Sequence, residues 1–190
     1  MALLPEHPAD RAALFAQWDA ITPEQLHAAG SMKWSLFPGT IGAWVAESDL
    51  GTAPAITRAL HDAVDAGRLG YLPRSVAAEM GRATAEWMRD RYGWHVDAAR
   101  VQALPDVIAG FVVAMEHFSR PGSAVIVPTP AYMPFLTVPA THGRTAIEVP
   151  MAASGGRAVL DLEAIERELV AGAGLVVLCN PLNPGGRVFE

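Results

Sequence analysis

The chain has 190 residues, 51% of them apolar and 18% charged, enough apolar content and length for a substantial core. Its 14 basic residues stand against 20 acidic ones, a net charge of −6, and no basic stripe runs along it, so nucleic acid is not an expected partner. No apolar run is long enough to span a bilayer, Met1–His7 lacks the basic start of a signal peptide, and Cys179 is the only cysteine; the expectation is a cytoplasmic protein without disulfides or membrane contact.

Residues 1–50 read as irregular, with short helical stretches, scattered Trp and Pro, and a Gly-rich passage from Pro38 to Gly42. Such a segment is expected to wrap another domain or subunit. From Ala53 the pattern becomes regular. Ile56, Ala59, Leu60, Ala63 and Val64 make one helical stripe that Gly67 can end. Ser75 is the expected N-cap of a second helix through Met80, Ala83 and Trp87 to Tyr92. Strands are then predicted over 101–104, 123–127, 145–149 and 175–179, alternating with helices over 106–118, 131–141 and 161–170. In the last helix Leu162, Ile165 and Leu169 are expected to face inward, and 151–157 reads as a surface loop. This alternation predicts an α/β domain with a mainly parallel sheet and flanking helices.

Two turns in this scheme could carry chemistry. Gly174–Leu178 is a continuous apolar run suited to a strand buried on both faces, and Cys179-Asn180-Pro181-Leu182-Asn183-Pro184-Gly185-Gly186 then forces a sharp turn at its carboxyl end. Open α/β sheets place their ligands there. The second turn, Leu104-Pro105-Asp106-Val107-Ile108, leads into a helix whose first N–H groups, with the helix dipole, suit a dianionic phosphate. Asp106 is expected to act as an N-cap and face away from such an anion. Tyr132, in a Pro-flanked turn, can stack on a flat ring or be a core tyrosine with its hydroxyl satisfied. Asn183 can donate to a ligand oxygen or shape the turn, and Tyr71 reads equally as an ordinary loop aromatic. Cys179 reads as a small core residue. The six histidines show no ligand spacing, so no metal is expected. Nucleophile-elbow, dinucleotide-loop and Walker A motifs are absent.

Several of these elements, in order, resemble the fold-type I pyridoxal-phosphate enzymes of the aminotransferase class I/II superfamily, and within it the cystathionine β-lyase and C–S lyase branch (the MalY/PatB type). Lys33-Trp34 followed by Trp44-Val45-Ala46-Glu47-Ser48-Asp49-Leu50 is similar to that branch's Lys-Trp and Trp-Val-Ala-Asp-Met-Asp-Phe signature. Gly70-Tyr71 stands at its Gly-Tyr position, and Pro128-Thr129-Pro130-Ala131-Tyr132-Met133-Pro134-Phe135 resembles its Pro-Pro-Val-Tyr-x-Pro-Phe motif. The turn at 180–186 resembles Asn-Pro-x-Asn-Pro-Ser/Thr-Gly, with Gly185 in place of Ser or Thr and Glu47 in place of Asp.

The resemblance implies a division into residues 1–50, an amino-terminal arm with part of a small domain and a dimer contact, and 51–190, the first part of a large domain that binds pyridoxal 5'-phosphate. It implies that the Val107 and Ile108 amides cradle the cofactor phosphate, that Tyr132 stacks on the pyridine ring and that Asn183 donates to its phenolic oxygen. Tyr71 would reach the phosphate of the partner subunit in a shared active site, and the Ala46 backbone would meet the substrate carboxylate. The implied reaction is β-elimination from a sulfur-containing amino acid to pyruvate, ammonia and a thiol. Transamination is the alternative within the fold, and a non-catalytic paralogue serving as a dimerisation or regulatory partner is the alternative outside enzymes. Lys33, the only lysine, matches the Lys-Trp pair and not the Schiff-base lysine, which is expected beyond Glu190. The chain is therefore expected to be a partial one, inactive by itself.

Overall fold

Up to Val101 the described residues form helices and connecting turns, and strands occur only from Gln102 to Glu190, the second of the chain's two units. The computed structural model describes residues 8–190; the Met1–His7 segment read above for a leader lies outside them. No helix among the described residues is long and apolar enough to cross a membrane.

The first unit contains α1 (Pro8–Asp19), α2 (Pro23–Ala29), α3 (Met32–Ser35), α4 (Pro54–Asp65) and α5 (Arg74–Tyr92), followed by a single 3-10 turn at Ala98–Arg100. The starts differ in what fixes them. In α2, Thr22 and Gln25 form a reciprocal capping box, with Pro23 in the first turn. Helix α5 begins at Arg74 behind Pro73 and has no side-chain cap, so Ser75 lies inside the first turn and is not the N-cap expected from the sequence. Helix α4 carries the expected stripe, yet Ile56, Leu60 and Val64 are all exposed. Helix α5 meets the 3-10 turn at Gly81, where an added Cβ would stand 2.5 Å from the Ala98 carbonyl oxygen.

The second unit contains α6 (Val107–Phe118), β1 (Val125–Thr129), α7 (Met133–Thr141), β2 (Ala146–Pro150), β3 (Ala152–Ser154), β4 (Arg157–Val159), α8 (Leu162–Val170) and β5 (Leu175–Val176). Strand β1 is the centre of a parallel sheet ordered β2-β1-β5, with Val125 opposite both Ala146 and Leu175. The expected α/β class with a parallel sheet is therefore present.

A strand paired on both sides must bury both faces, and β1 does so by alternation. Val125 and Val127 pack with Phe111 and Met115 of α6 and Phe135 of α7, while Ile126 packs with Val149, Ala173 and Ile165 of α8. Side chains sealed this completely each contribute about 1.5–3 kcal/mol relative to exposure. Arg144, also buried, donates to Ser119 Oγ at 2.9 Å, the Arg120 carbonyl at 2.8 Å and the Met115 carbonyl. A guanidinium among these acceptors complements the negative end of the α6 dipole and keeps both terminal nitrogens hydrogen-bonded.

Four expectations change here. Residues 101–104 are irregular, since no strand pairs with them. The segment read as a loop holds β3 and the turn of the β3–β4 hairpin, in which Ser154 pairs with Arg157 around Gly155-Gly156. The last strand spans only two residues because its partner, β1, pairs with it only at Val125 and Ile126, and Leu178 beyond is exposed. Of the three α8 residues expected inward only Ile165 reaches the core, while Leu162 (68% exposed) and Leu169 face solvent, as a short helix over three strands presents a narrow strip.

Candidate functional site

Within the second unit, three turns line one open cleft of about 430 Å³: Asp106, Val107 and Ile108 from the start of α6, Tyr132 and Phe135 around the start of α7, and Cys179 and Asn183 after β5. The parallel pairing of β1 and β5 puts the turns that follow them at the same edge of the sheet.

Asp106 closes the helix end. Its Oδ1 accepts the Ala109 N–H at 2.7 Å and its carbonyl accepts from Gly110 at 3.3 Å. The cap consumes the third N–H of α6 and leaves those of Val107 and Ile108 with no protein acceptor among the described residues. Asp106 thus caps as expected but does not turn away, because it lines the cleft as well. Its acceptor capacity is directed into its own helix, which lessens the conflict with an anion at the neighbouring amides.

Tyr132 is 44% exposed and stands at the N-cap position of α7. Its ring meets Phe135 edge-on at 5.7 Å, and Phe135 meets Phe111 in the same way at 5.6 Å. This aromatic ladder runs from the cleft into the core and fixes the outer ring while leaving a face open.

The two Asn-Pro pairs divide their labour. Asn180 grips the backbone of Phe189, accepting its N–H at 2.9 Å and donating to its carbonyl at 3.3 Å. Within that loop the Leu182 N–H donates to the Arg187 carbonyl at 2.7 Å and the Gly186 N–H to the Leu182 carbonyl at 2.6 Å. Asn183 is exposed, and its side-chain amide engages no protein group among the described residues. Leu182 is buried beneath the turn, and a Cβ on residue 185 would stand 2.6 Å from its Cδ2. Glycine at 185 follows from leucine at 182.

Two lining residues were missed. Phe135 follows Tyr132 by one helical step, a spacing that could have revealed it. Cys179 packs half-buried against the core as expected but also lines the cleft, with its Sγ 3.4 Å from the Pro181 carbonyl. Among the described residues no group of His, Cys, Asp or Glu is placed to hold a metal.

Tyr71 and Ala46 belong to the first unit. Tyr71 is fully exposed (102%) between α4 and α5, and Ala46 is exposed in the irregular segment after Gly42. Close to Ala46, Lys33 Nζ donates to Asp49 Oδ2 at 2.7 Å and to the Glu47 carbonyl at 2.9 Å, and Trp34 Nε1 donates to Asp49 Oδ1 at 2.7 Å. These bonds, the Lys33 one foremost, hold the Asp49 carboxyl below the usual carboxylate range. Asp49 is therefore a two-pronged acceptor for α3.

The family model for aminotransferase class I and II matches residues 42–190. The chain belongs to this family. It is 41% identical to a cystathionine beta-lyase of Corynebacterium glutamicum over 88% of this chain and 44% of that protein. It is 34% identical to cystathionine beta-lyase PatB of Bacillus subtilis over 84% of this chain and 43% of the relative. A candidate PLP-dependent beta-cystathionase from Corynebacterium diphtheriae superposes with a TM-score of 0.79 at 38% identity, over 90% of this chain and 44% of its own. This aminotransferase-family chain thus shares the fold of its fold-type I neighbours and spans less than half the length of the relatives it matches.

Proposed function

We propose that the chain is the amino-terminal part of a pyridoxal-phosphate-dependent carbon–sulfur β-lyase, a cytoplasmic homodimer acting on a sulfur-containing amino acid. The carrying observation is the convergence of two unpartnered N–H groups, a half-exposed aromatic ring and an unengaged amide on one cleft. The names of the relatives support it.

The donor set fits the cofactor part by part. The Val107 and Ile108 N–H groups, at the positive end of α6, suit a phosphate dianion. The Tyr132 ring offers a flat face to a pyridine, with Phe135 behind it excluding water. The Asn183 amide N–H can donate to a phenolate oxygen without releasing a proton to it. When bound, pyridoxal phosphate supplies an electron sink for the carbanion at the substrate Cα. Residues of the first unit complete the reading: the Ala46 backbone receives the substrate carboxylate, the exposed Tyr71 reaches the partner subunit's phosphate, and 1–50 serve as arm and dimer contact. Lys33, whose ammonium is engaged by Asp49 and the Glu47 carbonyl, is left out of the chemistry.

In the full-length protein, Tyr132→Ala and Asn183→Ala are each expected to weaken cofactor affinity about five- to tenfold, read by absorbance titration with pyridoxal phosphate. Unchanged affinity in both removes the site assignment. Pyruvate and thiol release from L-cystathionine, without keto-acid exchange, is the expected activity; exchange alone would make the protein a transaminase.

A further inference from the structure

The segment from Trp44 to Asp49 has no helix or strand to hold it, yet it is tied to α3 at three points on either side of Ala46. Trp44 Nε1 donates to the Lys33 carbonyl at 3.1 Å on one side. On the other, Lys33 Nζ donates to the Glu47 carbonyl, and Asp49 accepts from both Lys33 and Trp34. The Lys33 N–H adds a longer bond to Glu47 Oε2 at 3.4 Å. The Trp34 ring lies so close over Gly42 that a Cβ there would stand 2.9 Å from it, and His27 meets that ring edge-on at 5.2 Å. Ala46 sits in the middle, exposed, and its N–H has no protein acceptor among the described residues.

We propose that Lys33, Trp34 and Asp49 are positioning residues that hold the Ala46 backbone ready for the substrate carboxylate. The inference rests on the reading of Ala46 given above and names how that contact is kept in place. Freezing one backbone residue costs about 1–2 kcal/mol, so an irregular segment left free would charge that cost to every binding event. A segment ordered beforehand has already met it. Lys33 suits the task because one ammonium carries three donors and can tie a carboxylate and a backbone carbonyl together. The sole lysine of the chain thereby acts on substrate affinity and not on the bond-breaking step.

The test uses the full-length holoenzyme with L-cystathionine, comparing Asp49→Asn, Lys33→Met, Trp34→Phe and the conservative Lys33→Arg. The first three are expected to raise KM about tenfold with kcat within about twofold, since each loses at least one charge-assisted or buried bond. Pyridoxal-phosphate affinity by absorbance should stay near wild type. The preference for the amino acid over its carboxamide should fall with the rise in KM, and Lys33→Arg should recover most of both. An unmoved KM in an active enzyme overturns the inference alone. So does a KM rise matched by lost cofactor affinity, which is the mark of a merely structural role. A wild-type protein that binds no pyridoxal phosphate or releases no pyruvate overturns the β-lyase reading, and the inference with it.

Discussion

From Gln102 to Glu190 the interior is made of side chains, with Met115, Val125, Ile126 and Val127 sealed from water, whereas up to Val101 the only buried residues among those described are Gly42 and Gly81. The later unit has the economy of a parallel sheet: one central strand, two apolar faces, helices over each. The earlier unit has strong helical periodicity but leaves its apolar residues outside, including the α4 stripe and Tyr71. What orders it instead is polar contact and close backbone approach, in the Lys33–Trp34–Asp49 cluster and at Gly81. Amphipathic pattern states where burial is favoured, and the described residues of this unit leave that pattern unmet.

Truncating apolar groups in both units gives the most severe challenge to this contrast. Met115→Ala removes a side chain with no exposure at all and is expected to cost about 2–5 kcal/mol in urea unfolding of the chain. Leu60→Ala, in the exposed stripe, should change the same measurement by less than about 0.5 kcal/mol. Equal costs would break the comparison. In the full-length protein, a shift toward monomer in Leu60→Ala by analytical ultracentrifugation would sharpen it, by making the stripe part of the dimer contact.

A smaller effect separates two helical glycines. A Cβ on Gly81 would meet a backbone oxygen at 2.5 Å, an atom that cannot swing aside, so Gly81→Ala is expected to cost about 1–3 kcal/mol. Gly110 in α6 faces only Leu104 Cδ1, at 3.4 Å. There alanine should be neutral or stabilise by about 0.5–1 kcal/mol through the gain in helix propensity. Thermal unfolding of the two variants side by side measures the difference, and a Gly81→Ala protein as stable as wild type would show that the close approach at Ala98 is not what orders the first unit.

How much of this could be read beforehand depended on what kind of interaction fixed each piece. The helices of the second unit and its parallel strands were legible because hydrophobic period and a local cap, Asp106, agree with the tertiary fold. The 101–104 strand was misread because a short apolar run does not reveal whether a partner strand exists beside it. The β3–β4 hairpin was missed because its strands are too short and exposed to show alternation around Gly155-Gly156. At the site, motif positions led to Val107, Ile108, Tyr132 and Asn183, which the structure gathers on one cleft. The division of roles between Asn180 and Asn183 was not legible, since it is set by hydrogen bonds closing a loop on Phe189 nine residues later. The pairing of Lys33 and Trp34 with Asp49 was hidden for the same reason, being a contact across 15 or 16 residues with no periodic signal.

That pairing gives the gentlest probe of the contrast, through acid. The Asp49 carboxyl is held below its ordinary value of 3.8, first by the Lys33 hydrogen bond and then by that of Trp34. A depressed folded-state pKa means that the unfolded chain takes up the proton more readily than the folded one. The stabilisation is therefore present above the ordinary carboxylate value and is lost as pH falls through the lower, folded one. All five tryptophans precede Val101, so their fluorescence reports the first unit alone. A fluorescence change is expected below about pH 4. Asp49→Asn has no carboxylate to titrate and should remove that step. A change that persists in the variant would assign the acid response to another group and leave Asp49 no part in ordering the unit.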